Sequence, residues 1–147
     1  MEFAERLSVP LRWWVQGTML VATLWLALVV AVPLAVAWTV TGVALALMVA
    51  LFVSYGAARV TVDRDVLRAG AAHISTDHVG AVTALDAEAM RLQAGRDADV
   101  RAFLLLRPYL KRGVRVDLTD PSDPAPYWLI SSRRPDELAA ALTTATR

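Results

Sequence analysis

The chain has 147 residues, 56% of them hydrophobic, with 15 Lys or Arg against 14 Asp or Glu and no cysteine. The missing thiols exclude disulfides, thiolate metal sites and a cysteine nucleophile, and the balanced charge argues against a nucleic-acid binder, which needs a basic excess. One small polar domain beside a long apolar block leaves no room for a second globular domain.

The apolar block comes early. From Trp13 to Ala58 there is no Asp, Glu, Lys, Arg or His. A spanning helix needs about 20 apolar residues, so this block is long enough to cross a bilayer twice. The first span is expected from about Trp13 to Val32, entered through Ser8-Val9-Pro10, a plausible helix start. The second is expected from about Thr39 to Tyr55 or Ala58, with a turn near Pro33 to Gly42. This divides the chain into an N-terminal cytoplasmic segment over 1–12, a transmembrane hairpin over 13–58 and a cytoplasmic domain over 59–147.

Trp13, Trp14, Trp38 and Tyr55 fall where aromatic rings prefer the headgroup boundary. Gln16 is the strongly polar side chain of the block, which supplies no ionisable relay for transport. Ala27 and Ala31 on the first span, and Gly42, Ala46, Ala50 and Ser54 on the second, recur at every fourth position. Such stripes permit close backbone approach, between the two spans or with a partner helix, although high alanine content produces the same spacing. Arg6, Arg12, Arg59, Arg64 and Arg68 flank the spans while the turn is uncharged, which directs both termini to the cytoplasmic side of a bacterial plasma membrane. Ala35-Val36-Ala37 has the form of a signal-peptidase site, but Glu2 and Glu5 spoil the basic leader.

After Arg59 the pattern changes to short alternating runs divided by turn residues, which are strand signals. Seven strands are predicted: Arg59 to Val62, Val66 to Ala69, Ala72 to Ser75, Val79 to Leu85, Ala102 to Arg107, Val114 to Leu118 and Tyr127 to Ser131. A short helix is predicted between Asp86 as N-cap and Gly95 as terminator. The last helix begins at Pro135, with Asp136 and Glu137 at its positive end and Leu138, Ala141, Leu142 and Ala145 as its apolar face. The expected class is an α+β membrane protein whose hairpin precedes a β-rich domain capped by a C-terminal helix. This element order is that of a pleckstrin-homology-like (PH-like) domain; a different small barrel or a sandwich is the alternative.

No catalytic constellation stands out. His73 and His78 flank Asp77, but across a strand and turn their rings do not converge on one point. Asp117, Asp120 and Asp123 lie among Pro121, Pro124 and Pro126 without a glycine-containing cation loop, so this segment reads as a rigid turn. Ser131 and Ser132 lie outside any nucleophile-elbow pattern. The most suggestive polar set is Arg107, Lys111, Arg112, Arg115, Arg133 and Arg134, a candidate contact for anionic lipid or an acidic partner if their loops meet at one edge. The competing reading is solvated charge balanced by Asp97, Asp99, Asp117 and Asp120. Tyr109, Tyr127 and Trp128 lie near this set, with Trp128 expected in the core.

Arg107-Pro108-Tyr109, the strand Val114 to Leu118 and above all the run from Asp120 through Trp128 to Pro135 resemble a family of small uncharacterised membrane proteins of high-GC Gram-positive bacteria. Glu5 to Pro10, Trp13-Trp14 and Leu85 to Ala89 fit the same family. The resemblance implies a two-helix hairpin and a cytoplasmic domain, with no activity, cofactor or catalytic residue to carry over. The expectation is a non-enzymatic, membrane-anchored interaction module whose partners are the bilayer and a protein or anionic lipid. The alternative is an accessory subunit packed through its helices on a larger transporter or envelope enzyme.

Overall fold

The computed structural model describes residues 3–147 and is α+β, with two long apolar helices, two sheets and a C-terminal helix. The chain divides into two compact units, the helical pair over 8–57 and a β-rich unit formed by Phe3 to Leu7 together with 58–147.

In the helical unit, α1 spans Leu11–Ala31 and α2 spans Leu34–Gly56, both long and apolar enough to cross a membrane. The turn is much shorter than predicted. Pro33 lacks an N–H and ends α1 two residues on; its carbonyl then accepts the Val36 and Ala37 amides at 2.9 and 3.1 Å, starting α2 at Leu34. The threonines inside the apolar helices turn their hydroxyls back onto the preceding turn, as Thr18 does to the Trp14 carbonyl at 2.8 Å and Thr39 to that of Ala35 at 2.8 Å. The helices meet along Trp14, Gly17, Val21 and Trp25 on α1 and Ala37, Thr41, Ala44, Met48 and Phe52 on α2, their less exposed positions. Trp14 meets Phe52 edge-on at 5.1 Å, and Trp25 meets Trp38 at 5.4 Å.

In the β-rich unit, all seven predicted strands are present, and an eighth precedes them. That strand, β1, is Phe3–Arg6; the others are β2 Arg59–Val62, β3 Val66–Ala69, β4 Ala72–Ser75, β5 Val79–Leu85, β6 Phe103–Leu105, β7 Gly113–Leu118 and β8 Tyr127–Ser131. Phe3 to Leu7, within the segment expected over 1–12, thus belong to the β-rich unit, whereas the residues from Ser8 to Ala57 belong to the helical one. Alternation along Phe3 to Leu7 puts Phe3, Glu5 and Leu7 inward and Ala4 and Arg6 outward. The pairing is antiparallel, Phe3 with Val62 through Arg6 with Arg59, and the Leu7 amide extends it to the Ala58 carbonyl at 2.9 Å.

The first sheet runs β1-β2-β3-β4 and the second β5-β7-β8-β6, in which β6 lies parallel to β8. Gly70 turns β3 into β4 with φ of 64°, a left-handed conformation that favours glycine. Val60, Val62, Leu67 and Ile74 of the first sheet pack with Val114, Val116, Trp128 and Ile130 of the second. The C-terminal helix α4, Pro135–Ala145, closes this core with Leu138 and Leu142, each fully buried. Burial of a leucine contributes about 1.5–3 kcal/mol, so these two side chains anchor the helix. The helix α3, Ala87–Ala94, is started by the Asp86 carboxylate accepting the Ala89 amide at 2.8 Å, and its Met90 covers Tyr127 and Leu129 in a second, smaller cluster. Residues on both sides of β8 are therefore buried, which is why its sequence is nearly continuously apolar.

Candidate functional site

The structure divides the basic set. Arg112, Arg133 and Arg134 converge on the outer edge of β1. Arg133 donates from Nη1 to the Arg6 carbonyl at 2.9 Å, and Arg134 donates from Nη2 to the Ala4 carbonyl at 3.1 Å. Arg112 in turn donates from Nη2 to the Arg133 carbonyl at 3.1 Å. The Arg133 and Arg134 guanidinium groups occupy edge carbonyls of β1 that would otherwise be open to another strand. Lys111 is exposed in the adjoining loop.

The other two arginines belong elsewhere. Arg115 pairs with Asp117 at 2.8 Å, donates to Gln93 Oε1 at 2.9 Å and lies over the Tyr127 ring at 4.2 Å. It joins β7 to α3 and faces away from β1. Arg107, just past β6, donates its amide to Ser131 Oγ at 3.1 Å and its guanidinium to the Leu106 carbonyl at 3.0 Å.

Glu5 organises the converging group. Its carboxylate is buried, accepts the Ser132 hydroxyl and the Arg133 amide, the latter at 2.9 Å, and lies 3.9 Å from the Arg133 guanidinium. Ser132 Oγ also accepts the Arg134 amide at 3.0 Å, so one carboxylate and one hydroxyl fix the bend between β8 and α4. Sequence reasoning missed Glu5 because it lies in a charged flank. The signal that reveals it is the two-residue alternation Phe3, Glu5, Leu7, which places a carboxylate on the inward face. Tyr109 donates its hydroxyl to the Leu7 carbonyl, a second tie on the same strand.

A shallow groove opens between the edges of the two sheets, lined by His73, Arg101, Phe103, Asp123 and Trp128, with the two rings 4.8 Å apart. Its charged groups are locally occupied: Arg101 pairs with Asp99 at 3.2 Å, and Asp123 accepts the Ala125 amide at 2.9 Å. The Arg101 guanidinium and backbone N–H hold the Asp99 carboxyl below its ordinary value. The Asp120 carboxyl is likewise held low, by the Ser122 hydroxyl and amide that cap the proline-rich turn. Among the described residues no three His, Cys, Asp or Glu cluster as metal ligands.

In the helical unit, Ala27, Ala31, Gly42, Ala46, Ala50 and Ser54 all face outward, away from the seam between α1 and α2. The helices pack through larger side chains and Gly17, so the fourfold stripe does not serve the hairpin's own contact. A Cβ added at Gly42 would meet nothing within 4 Å, whereas one at Gly17 would lie 2.5 Å from Met48 Sδ.

A family model described as a protein of unknown function, DUF3093, matches residues 2–142. The chain belongs to the DUF3093 family. That match takes in β1, both apolar helices, both sheets and most of α4, so the strand before the hairpin lies within the DUF3093 region and the Glu5 contacts with it. No curated protein and no solved structure matches this DUF3093 chain.

Proposed function

We propose that this DUF3093 chain is a non-enzymatic membrane-anchored interaction module. In this reading α1 and α2 cross the bacterial plasma membrane as a hairpin, and the β-rich unit, PH-like in its two sheets and closing C-terminal helix, stands on the cytoplasmic side. There it contacts an acidic protein or anionic lipid.

The observation that carries the reading is the pairing of β1 with β2. These strands lie at the two ends of the helical block, so one folded domain holds both ends and keeps them on the same side of any membrane the block enters. The helices themselves are uncovered: Leu20 is 72% exposed, Val30 88% and Leu47 66%. Apolar surface on this scale is excluded by water and accepted by hydrocarbon. Arginines at both ends and an uncharged turn favour a cytoplasmic domain. Anchoring concentrates the domain at the surface, so a weak contact becomes effective.

The outward stripe of small residues supports a second reading, an accessory subunit packed on a larger membrane protein. Mild detergent extraction followed by affinity isolation separates the two. The module reading expects a lipid or peripheral partner, and a stoichiometric integral membrane partner lost on Gly42→Leu favours the subunit. Release of the intact chain by a carbonate wash contradicts both.

A further inference from the structure

The outer strands of the β-rich unit differ in how their edges are closed. On β1 the Arg133 and Arg134 guanidinium groups cover edge carbonyls. On β5 the register shifts between Val79 and Val82, and α4 packs against the strand. Side-chain cover and bulges of this kind keep another strand away. That leaves β4 and β6, whose edges flank the groove over Phe103 and Trp128.

Register shows which backbone groups of β4 are unused. The Gly70 amide donates to the Arg59 carbonyl, and Asp63 and Val66 exchange both of their backbone bonds, so Val66, Arg68 and Gly70 turn these groups toward β2. Leu67 and Ala69 therefore bond Ile74 and Ala72 of β4. The same alternation directs the N–H and C=O of His73 and Ser75 away from β3, and His73 lines the groove.

The groove holds about 530 Å³. Its floor is aromatic, with the Phe103 and Trp128 rings 4.8 Å apart, and Ala72, Ala102 and Ala125 keep its walls low. Free main-chain groups beside an apolar floor suit an extended segment, whose backbone bonds the edge while alternate side chains enter the groove. Along β4, Ala72 and Ile74 point to the core and His73 points outward. A residue of an added strand that faces His73 thus stays on the outer surface, and its two neighbours point to the floor. Arg68 faces His73 across the β3–β4 pair, which makes that surface cationic, whereas Asp65 and Asp77 lie beyond Ser75 at the other end of β4. Opposite charges on facing positions attract, so the residue that faces His73 is acidic. On the rim, Arg101 and Asp123 have opposite signs and add no net charge. The start of β6 forms the far wall, which admits one strand but stands in the way of a whole sheet from a second copy of this chain.

We propose that the free edge of β4 docks an extended segment of a partner protein, a carboxylate-bearing residue between two apolar ones, which joins the first sheet as a strand at His73. This rests on the interaction-module reading above and names the partner as a peptide segment.

The test titrates the end-blocked peptide Ser-Val-Glu-Val-Ser into the full chain in bilayer discs, with amide exchange read by NMR. With free peptide about tenfold above its dissociation constant, exchange at the His73 amide is expected to slow about tenfold, and the Phe103 and Trp128 ring signals shift. Methylating the peptide nitrogen of Glu abolishes binding. Ser-Val-Lys-Val-Ser binds several-fold more weakly, and Arg68→Glu reverses that preference. His73→Pro removes an N–H that β3 does not use, a change an edge strand tolerates, so binding is lost while the Ile74 amide stays protected. Unchanged His73 exchange at millimolar peptide overturns the proposal, as does equal binding of the methylated peptide, or protection that falls on β1 instead of β4. Where His73→Pro also exposes the Ile74 amide, the charge reversal at Arg68 decides: no change of preference there overturns the site. A peripheral or lipid partner from the affinity isolation above whose binding survives His73→Pro in an intact β4 refutes this site and leaves the module reading standing, whereas recovery of an integral membrane partner alone refutes the module reading itself.

Discussion

Glu5 is buried, and it accepts the Ser132 hydroxyl and the Arg133 amide, which join a strand at one end of the chain to the β8–α4 bend at the other. Hydrogen bonds to a charged acceptor are worth about 1.5–3 kcal/mol each, and Arg133 is half-exposed and keeps water as a substitute. Glu5→Ala is therefore expected to destabilise the β1–β2 pairing by about 2–3 kcal/mol, and Glu5→Gln, which keeps one acceptor oxygen, by less. Amide hydrogen exchange in bilayer discs reads this locally, as a loss of β1 protection of about thirtyfold or more for the alanine variant; unchanged protection would show that Glu5 does not hold the strand. Asp120 offers a second residue-level check. Its carboxyl is lowered from 3.8 by the Ser122 hydroxyl and then the Ser122 amide. A depressed folded value means that the stabilisation is complete above the unfolded value and fades as pH falls through the folded one. Carboxylate NMR titration is expected to give a midpoint below 3.8 for Asp120, moving upward in Ser122→Ala. Backbone proximity governs Gly113: an added Cβ would press on the Ile130 carbonyl and on Met90. Gly113→Ala is expected to cost about 1–3 kcal/mol, read as a lower urea midpoint.

At the scale of elements, the strands from β2 onward are legible because period-two alternation and turn residues bound each of them. The helix signals at Asp86, Gly95 and Pro135 are equally direct, since each acts on its own turn. Strand β1 is not legible in the same way: four residues with two charges read as the flank of a span, and their partner lies beyond the whole apolar block. Nor does local pattern reveal that β6 joins β8 in parallel while β7 lies between β5 and β8. The basic set shares this limit. Arg133 and Arg134 come together because β1 gives their guanidinium groups carbonyls to bind, Arg112 joins them through the Arg133 carbonyl, and Arg115 is drawn away by Asp117 and Gln93. Two element-level outcomes follow from packing. Leu142→Ala removes a fully buried side chain from beneath the sheets, for an expected loss of about 2–5 kcal/mol, measured by urea unfolding followed through Trp128 near-ultraviolet dichroism. In the hairpin, Gly17→Leu is expected to push α1 from α2, where Met48 lies close, while Gly42→Leu leaves their spacing unchanged. Spin-label distances between the two helices distinguish these outcomes.

On the scale of the whole molecule, the chain leaves its β-rich unit at Leu7 and returns to it at Ala58, with two apolar helices between. That connectivity joins the apolar block, legible from its missing charges, to the β1–β2 ladder, which only the structure reveals. It means that a two-span hairpin and a single-sided domain stand or fall together. The native absence of cysteine makes single-cysteine labelling clean. The most direct measurement compares Leu34→Cys at the turn with Ser122→Cys in the domain, using a membrane-impermeant thiol reagent on intact and permeabilised cells. The expected result is labelling of residue 34 from outside and of residue 122 only after permeabilisation; reaction of both from the same side would contradict a hairpin that crosses the membrane.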